Sequence, residues 1–490
     1  MRRCLGLLVL LLATGCGDGE MESPAAPAAS TREATLIDRD GDGALERGPG
    51  EQLRDRVEVG GGGRPGEVLV MLAQLTDTQV RDEESPARVP FLDRLGGAFS
   101  STFRPHEALS PQVLARAVHA VNRLEPDAVM VTGDIVDSAA QAELEQALAV
   151  LDGGRVDPDT GAPGYAGVQR ASNPDALIFR PDLDAPRRPG LLAAAARPFS
   201  SPGLDAPWFP APGNHDLLVQ GETPPTARID AFATGGQLTF SLDPEDLPSD
   251  VSGIDSAAAV DALLADGAPG RAEPVPADPR RRHLRPDELL ERLTGRAGAP
   301  AALRAARGRE TLDYAVGLGR DGAAAQALVL DTVDRRGGSR GLVRPAQLAW
   351  LEAELARAAG RPLLVFSHNR LDTSAGGAEA LALLDRTPNV VAVVAGNSHR
   401  NRIRPRPTAR GGYWQISTSS LADFPQQARA LRLRRTPSGY ALETWMIDHD
   451  GRGLAGTARE LAYLDAQGGR PQGFAGAPSD RNARLFVSSP

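Results

Sequence analysis

The stretch VLVMLAQLTDTQ, residues 68–79, joins an apolar run to a polar motif and decides the fold of this chain. Residues 68–73 are almost continuously apolar, which is typical of a strand buried on both faces of a sheet. Asp77 and Gln79 follow shortly after that run. The pattern predicts an α/β fold, because open α/β sheets bind ligands beyond the carboxyl ends of their strands.

The same order of an apolar strand and then polar residues recurs along the chain. A single short motif of this kind occurs by chance in many chains, so the repetition is the stronger evidence. The other predicted strands and the motifs that follow them are residues 128–132 before Gly133-Asp134-Ile135-Val136-Asp137, residues 207–211 before Gly213-Asn214-His215-Asp216, residues 363–366 before Ser367-His368-Asn369, and residues 390–394 before Gly396-Asn397-Ser398-His399.

Two helices are predicted between these strands. Ser110-Pro111 has the pattern of an N-cap followed by proline at the first helical position. A second helix begins near Arg344 and stops near Gly360, with apolar residues at helical spacing between them. The residues expected on the buried sides are Leu114, Ala117, Val118, Val121 and Leu124 in the first helix, and Leu348, Leu351 and Leu355 in the second.

Composition and charge narrow the classes of function. The chain has 490 residues, 41% hydrophobic and 24% charged, which is ordinary for a globular protein. Its net charge of −9 gives no reason to expect a nucleic-acid-binding surface. Both cysteines, Cys4 and Cys16, lie in the first sixteen residues, so the body has no disulfide. The sequence carries no indication of oligomeric state.

Taken in order, the five polar segments resemble the signature of the calcineurin-like metallophosphoesterases: D-x-H, G-D-x-x-D, G-N-H-D, a lone H and G-H-x-H. Gln79 and Asn397 depart from it, since the family has histidine at both positions. Three further stretches are similar to a bacterial lipoprotein branch whose members mostly lack assigned substrates. They are residues 82–88, Pro189-Gly190-Leu191-Leu192 and Asp480-Arg481-Asn482.

The resemblance implies a four-layer α/β/β/α sandwich and a site that holds two divalent metal ions. Asp134 would bridge the ions. His215 would contact the phosphate as a catalytic residue without binding metal, and Asp137 would orient it. The implied ligands are Asp77, Gln79 and His399 for one ion, and Asn214, His368 and Asn397 for the other.

The two departures change the donor atoms but not the charge. A carboxamide oxygen is neutral, as imidazole is, and it can bind metal. Oxygen in place of nitrogen favours Mn, Mg or Fe over Zn. Asn397 is shorter than histidine, so it is less able than Gln79 to reach the position of the histidine that it replaces. The predicted function is metal-dependent hydrolysis of a phosphate mono- or diester. The alternative is a non-catalytic lipoprotein that binds phosphate-bearing ligands on a degraded scaffold.

The domain is expected over residues 67–450, with a C-terminal extension, 451–490, packing on it. Two irregular stretches, 152–205 and 217–310, are predicted to be insertions beside the metal cleft, with surface padding as the alternative. Four histidines lie outside any motif and are expected to be structural or surface residues: His106, His119, His283 and His449.

The N-terminus predicts export. A short basic start precedes an apolar run, residues 5–12, that is too short to span a bilayer. Ala13-Thr14-Gly15-Cys16 is similar to the lipobox of bacterial lipoproteins. This implies a signal peptide over residues 1–15, lipid attachment at Cys16 and anchoring to the cell envelope, with an ordinary cleaved signal as the alternative. The choice between inner and outer membrane stays open. Residues 16–66 are predicted to be a flexible acidic tether.

Within that tether, Asp38-Arg39-Asp40-Gly41-Asp42-Gly43 matches the first half of a D-x-D-x-D-G calcium loop. Glu46 fits the ninth position of such a loop, but Pro49 stands where the twelfth position needs an acid. Two interpretations follow. Asp38, Asp40 and Asp42 form a weak calcium site over residues 38–46, or the segment is a solvated acidic turn.

Overall fold

The computed structural model describes residues 30–87, 104–175, 178–241, 256–358, 360–465 and 473–488. The predicted signal peptide and Cys16 lie outside the described residues. None of the described helices is both long enough and apolar enough to cross a membrane.

The described elements are nineteen strands and twelve α-helices. The strands are β1 Ala34–Ile37, β2 Glu46–Pro49, β3 Arg54–Val59, β4 Val68–Leu75, β5 Ala128–Val131, β6 Gly154–Val156, β7 Phe199–Ser201, β8 Trp208–Pro210, β9 Gln237–Ser241, β10 Arg271–Pro274, β11 Tyr314–Leu318, β12 Ala325–Leu330, β13 Leu363–Ser367, β14 Val390–Ala395, β15 Arg402–Thr408, β16 Gly411–Ser417, β17 Gln427–Thr436, β18 Gly439–Asp448 and β19 Ala483–Ser488. The helices are α1 Ser110–Asn122, α2 Gln141–Leu151, α3 Leu191–Ala195, α4 Asn214–Leu217, α5 Ala227–Ala233, α6 Ser256–Leu263, α7 Pro286–Gly295, α8 Ala301–Ala305, α9 Pro345–Arg357, α10 Gly377–Asp385, α11 Gly453–Leu464 and α12 Pro478–Arg481.

Two mixed sheets form the centre of the fold. The seven-stranded sheet has the order β3-β19-β18-β17-β4-β5-β8, and the six-stranded sheet has the order β11-β12-β13-β14-β16-β15. Strands β4, β5 and β8 are parallel neighbours in the first sheet. Strands β12, β13, β14 and β16 are parallel neighbours in the second. The carboxyl ends of these parallel strands therefore meet at one edge of each sheet.

The two sheets pack face to face, with helices on their outer sides. Leu72 and Val329, from different sheets, share one hydrophobic core, and the indole of Trp414 in β16 donates to the Phe486 carbonyl of β19 at 3.0 Å. Helix α1 packs on β17 and β18 of the seven-stranded sheet, and α2 and α11 pack against α1. On the other side, Leu351 of α9 and Leu381 of α10 pack on the six-stranded sheet. The prediction of a four-layer α/β/β/α sandwich is confirmed.

The two predicted helices are present, with small differences at their ends. Helix α9 spans Pro345–Arg357, close to its prediction. Helix α1 begins at Ser110 itself rather than after it, with Leu109 in the capping position. The reason is that the Ser110 hydroxyl accepts a hydrogen bond from the Arg81 backbone N–H at 3.1 Å and so does not cap the helix.

Both ends of the chain differ from the predicted tether and extension. Strand β3, within the predicted tether, pairs in parallel with β19 of the predicted extension, and β19 lies between β3 and β18 in the seven-stranded sheet. Thr31 donates to the Asn482 side chain at 2.8 Å, so residues well before 67 pack against the domain. Strand β3 is at the sheet edge and mostly exposed, which explains why its charged sequence resembles a tether.

The two predicted insertions contain short elements of their own. The first holds the β6–β7 ribbon, and the second holds the β9–β10 ribbon and four helices. Arg281 of the second insertion is fully buried and donates to Thr160 of the first at 2.8 Å and to Asp82 at 3.2 Å. Leu284 N donates to the Ala139 carbonyl at 2.8 Å, so the second insertion lies against the segment that carries Asp137.

Candidate metal centre

All five sequence motifs lie directly beyond strand ends. Asp77 follows β4, Asp134 follows β5 and Asn214 follows β8, all in the seven-stranded sheet. His368 follows β13 and His399 follows β14, both in the six-stranded sheet. Because the sheets pack face to face, the motifs from both meet at one shared edge.

One cluster of donor atoms comes from Asp77, Asp134 and His399. One ligand atom from each lies within 4.8 Å of the other two. The Nε2 of His399 is 3.2 Å from Oδ1 of Asp77. Asp77 and Asp134 are almost fully buried, at 0% and 1% exposure. Two buried carboxylates this close repel each other unless positive charge compensates them.

A second cluster comes from Asp134, Asn214 and His368. The Nε2 of His368 is 3.1 Å from Oδ2 of Asp134 and 3.1 Å from Oδ1 of Asn214. Asp134 therefore belongs to both clusters. A carboxylate shared in this way has the placement that a bridge between two ions requires.

Hydrogen bonds orient the candidate metal-ligand side chains of this second cluster. His368 Nδ1 lies 2.8 Å from the Thr132 carbonyl, which can only accept, so Nδ1 carries a proton and Nε2 is the ring atom that faces Asp134 and Asn214. The Asn214 amide donates from Nδ2 to the Gly221 carbonyl at 2.9 Å, which leaves its oxygen facing His368. Both side chains are buried and present the atoms that bind cations.

His399 is held by a residue that the sequence analysis did not single out. Its Nδ1 donates to Asp423, which is 1% exposed and also forms an ion pair with Arg104. Asp423 lies in the loop between β16 and β17. The sequence alone does not identify Asp423 as a site residue, because no motif at the end of a strand surrounds it. Its partner His399 lies in a different loop, between β14 and β15.

That β16–β17 loop also closes over the first motif. Leu421 N donates to the Thr76 carbonyl at 3.2 Å, and Ala422 N donates to the Asp77 carbonyl at 3.0 Å. His106 Nε2 contacts the Ala422 carbonyl at 2.7 Å from the other side. Burial is the main cause that lowers the pKa of His106 to about 3, so this ring stays neutral and serves as a structural residue, as expected for it.

The backbone of the motifs is strained. Ten non-glycine residues of the described ranges have positive φ, and five of them are predicted ligands. Each such residue costs on the order of 1–3 kcal/mol and persists only where surrounding contacts impose it. The five are Asp77 at 51°, Gln79 at 41°, Asp134 at 50°, Asn397 at 60° and His399 at 52°.

Two motif glycines are required by close approach. A Cβ at Gly213 would lie 2.1 Å from Oδ1 of Asp134, and a Cβ at Gly396 would lie 2.0 Å from Oγ1 of Thr76. Neither clash can be relieved by a flexible side-chain end, since both neighbours are buried and hydrogen-bonded. The G-N-H-D and G-N-x-H motifs therefore begin with glycine for a steric reason.

His215 and Asp137 form the second feature of the site. His215 Nδ1 lies 2.7 Å from the Asp137 carbonyl oxygen and 3.4 Å from its carboxylate. Arg81 donates to that carboxylate at 2.5 Å. Burial lowers the pKa of His215, but Asp134 and Asp137 outweigh it and raise that pKa to about 9. A cation on Asp134 would weaken that contribution.

At the two substituted positions, the described side-chain contacts do not include Asp134. The Asn397 side chain donates to the Ser339 carbonyl at 3.3 Å, while its backbone N–H donates to Asp77 at 3.1 Å. Gln79 lines a small polar cavity beside His106, and its backbone N–H donates to the Asp134 carbonyl at 2.8 Å. Metal binding by the Gln79 and Asn397 side chains stays a prediction.

The predicted calcium segment forms a compact acidic turn. Ligand atoms of Asp38, Asp40 and Asp42 lie within 4.8 Å of one another. Both oxygens of Asp38 already accept hydrogen bonds, one from Gly41 N at 2.8 Å and the other from the Tyr463 hydroxyl at 2.9 Å. Calcium binding here therefore remains a prediction with no further support.

No protein-family model matches this chain, and no curated protein matches it. Among solved structures it is similar to a dimetal phosphatase from Danio rerio (13% identity, 79% of this chain and 97% of that chain, TM-score 0.38), to GAP50, the anchor in the inner membrane complex of Plasmodium (8%, 77% and 84%, TM-score 0.29), and to the Thermus thermophilus sulfate thiohydrolase SoxB in complex with glycerol (10%, 83% and 62%, TM-score 0.30). TM-scores this low carry no argument about activity, so the case for function depends on the geometry of the site.

Proposed function

We propose that this chain hydrolyses phosphate mono- or diesters with two divalent metal ions, one in each donor cluster. The observation that carries the proposal is the shared carboxylate of Asp134, which faces His399 and Asp77 in one cluster and His368 in the other. The buried, convergent donors fit divalent cations, because three carboxylate or amide oxygens and two imidazole nitrogens present lone pairs there.

We infer a metal preference from the donor set. Asp77, Asp134 and Asn214 supply oxygen, and each cluster has one imidazole, from His399 or His368. If Gln79 and Asn397 also bind the ions, the fraction of oxygen atoms among the ligands increases further. Such a set favours Mn, Mg or Fe over Zn.

The chain's own residues supply the remaining chemistry. When bound, two such ions activate a water and stabilise the charge of the phosphoryl group. His215 is fixed through Nδ1, so its Nε2 is the atom available to give a proton to the leaving oxygen. Arg81 and Asp137 hold the ring in that orientation. Loss of the Asp137 carboxylate would lower the pKa of His215 and leave the orientation of its ring less restricted.

The direct test is turnover of nitrophenyl phosphate mono- and diesters by the purified protein with Mn²⁺, Mg²⁺, Fe²⁺ or Zn²⁺. We expect activity with the first three and its loss in Asp134→Asn. Asp266→Asn, the same change at an exposed position, is the matched control and should retain full activity. No turnover with any metal, or an Asp134→Asn variant as active as the parent, would rule the proposal out.

We also propose that the protein is exported and anchored to the bacterial cell envelope through lipid on Cys16. The support is the N-terminal sequence alone, and an acyl chain contributes roughly 0.8 kcal/mol per buried methylene to membrane binding. Cys16→Ser should release the protein from the membrane fraction of producing cells. Equal membrane association of the variant and the parent would contradict lipid anchoring.

A further inference from the structure

Three arginines share one face of strand β15. Arg402, Arg404 and Arg406 alternate with Ile403, which is buried in the core between the sheets, so the arginines point to the opposite, outer face of the six-stranded sheet. Arg406 is neutralised there, because its Nε and Nη2 each donate to Asp385 at 2.7 Å. The other two arginines have no such partner of their own.

Positive charge is in excess around Arg402 and Arg404. Arg404 lies 3.4 Å from Asp372, but Arg370 already holds that carboxylate and donates to it from Nε at 2.9 Å. The Arg402 side chain makes no ion pair or hydrogen bond within the described ranges. Burial lowers the pKa of Arg404, and repulsion from Arg402 and Arg370 lowers it further.

One more carboxylate, that of Asp480, lies near Arg404. Its two oxygens accept backbone N–H groups, from Ile403 at 2.8 Å and from Ala477 at 3.3 Å. It contributes to the potential but forms no ion pair with the arginines. Arg370 and Arg404 therefore share the Asp372 carboxylate, and Arg402 has no paired carboxylate among the described residues.

Arg402 and Arg404 line a cavity rather than a flat surface. Arg370, Asp372, Arg402 and Arg404 surround it together with residues of β14 and β16. Ser417 lies opposite Arg402 and Gln415 lies opposite Arg404 in the β15–β16 ladder, and both line the cavity. Facing residues of a ladder share one side of the sheet, so a hydroxyl and an amide join the guanidinium groups there.

The cavity lies beside the metal centre along the chain. Arg370 follows His368 by two residues, and Ala395 in the cavity wall precedes Asn397 by two. An extended chain spans at most about 3.6 Å per residue, which places the Cα atoms of Arg370 and His368 within about 7 Å of each other. The loop after β13 and the end of β14 therefore contribute residues to both the metal centre and the cavity.

We propose that this cavity binds a second phosphate group of the substrate, separate from the ester that is cleaved. Arginine binds phosphate oxygens through paired N–H donors, and Ser417 and Gln415 can complete the contacts. The substrate class is then an organic diphosphate or bisphosphate rather than a simple monophosphate ester. The link to catalysis rests on the proposed function, whereas phosphate binding by the cavity does not.

Binding can be tested without metal or turnover. The chelator-treated full-length protein is titrated with inorganic pyrophosphate by calorimetry at fixed ionic strength, for the parent, Arg402→Glu, Arg402→Ala and Arg336→Glu. Arg336 is 80% exposed and lies outside the cavity. Arg336→Glu therefore makes the same charge change as Arg402→Glu without altering the cavity. We expect Arg402→Glu to bind at least about tenfold more weakly, Arg402→Ala to fall between, and Arg336→Glu to match the parent.

A kinetic arm tests the role in substrate selection. Arg402→Glu should raise KM for a nucleoside diphosphate ester and leave KM for nitrophenyl phosphate unchanged. Absence of pyrophosphate binding in the parent, equal weakening by Arg336→Glu, or equal KM changes for both substrates would overturn the inference. Pyrophosphate binding that depends on Arg402 in a protein without turnover would instead refute the proposed function and leave the anion site standing.

Discussion

His399 donates its Nδ1 hydrogen to Asp423, and this pair joins the end of β14 to the loop between β16 and β17. The bond fixes the tautomer of His399 so that Nε2 faces Asp77, and Arg104 holds the far side of the same carboxylate. Carboxylates that accept from a metal-binding imidazole orient it and raise its basicity. Asp423 therefore belongs to the machinery of the site although it touches no predicted ion.

Loss of Asp423 should weaken metal binding without unfolding the protein. Asp423→Ala removes the acceptor for His399, so we expect about 10–100-fold weaker Mn²⁺ binding at one of two sites. Asp423→Asn keeps an acceptor oxygen and should lose less Mn²⁺ affinity than Asp423→Ala. Calorimetric titration with Mn²⁺ measures both, with the exposed Asp205→Ala as control. Unchanged affinity in Asp423→Ala would remove this residue from the account.

The amides at positions 79 and 397 predict unusual acid tolerance of metal binding. Histidine must lose its proton to bind metal, with an ordinary pKa of about 6.5, whereas a carboxamide does not titrate. The parent should therefore keep its ions to lower pH than a Gln79→His, Asn397→His variant. Metal content after dialysis across pH 5–8 measures this. Equal or earlier loss of metal from the parent would count against amide ligands.

Gly213 should not tolerate a methyl group. In Gly213→Ala the new Cβ would lie 2.1 Å from Oδ1 of Asp134, so the bridging carboxylate must move. We expect loss of activity together with loss of bound Mn²⁺. Gly295→Ala is the matched control, because the nearest atom to its new Cβ is a flexible Glu291 oxygen at 3.7 Å. An active Gly213→Ala variant would show that the described approach of these loops is incorrect.

Arg281 should contribute to stability far more than an exposed arginine. It is fully buried among Asp82, Glu84 and Thr160, and its removal leaves buried carboxylates without their partner. We expect Arg281→Ala to lower the free energy of unfolding by about 3–5 kcal/mol. Arg285→Ala, which breaks an exposed pair with Asp287, should leave the free energy of unfolding nearly unchanged. Denaturant titration of both variants makes the comparison, and equal effects would contradict the buried network.

The sequence predicted the strands that carry the motifs and the edge at which the motifs meet. These features can be predicted because each motif follows its strand within a few residues. The features that the sequence did not predict depend on residues that are far apart in the chain. Strand β3 pairs with β19, which lies more than four hundred residues further on, and Asp423 is a site residue because of His399 alone. No local pattern distinguishes an edge strand from a charged tether, or Asp423 from any other loop aspartate.

The shared carboxylate of Asp134 is the centre of the proposed site, and a count of bound metal ions tests its role most directly. Bound Mn²⁺ per chain is measured by elemental analysis after equilibration at fixed free Mn²⁺, for the parent, Asn214→Ala and Asp134→Asn. A carboxylate common to two clusters predicts two ions, one ion and none, in that order. An Asp134→Asn protein that still holds one tightly bound ion, or a parent that never binds two, would contradict the bridge.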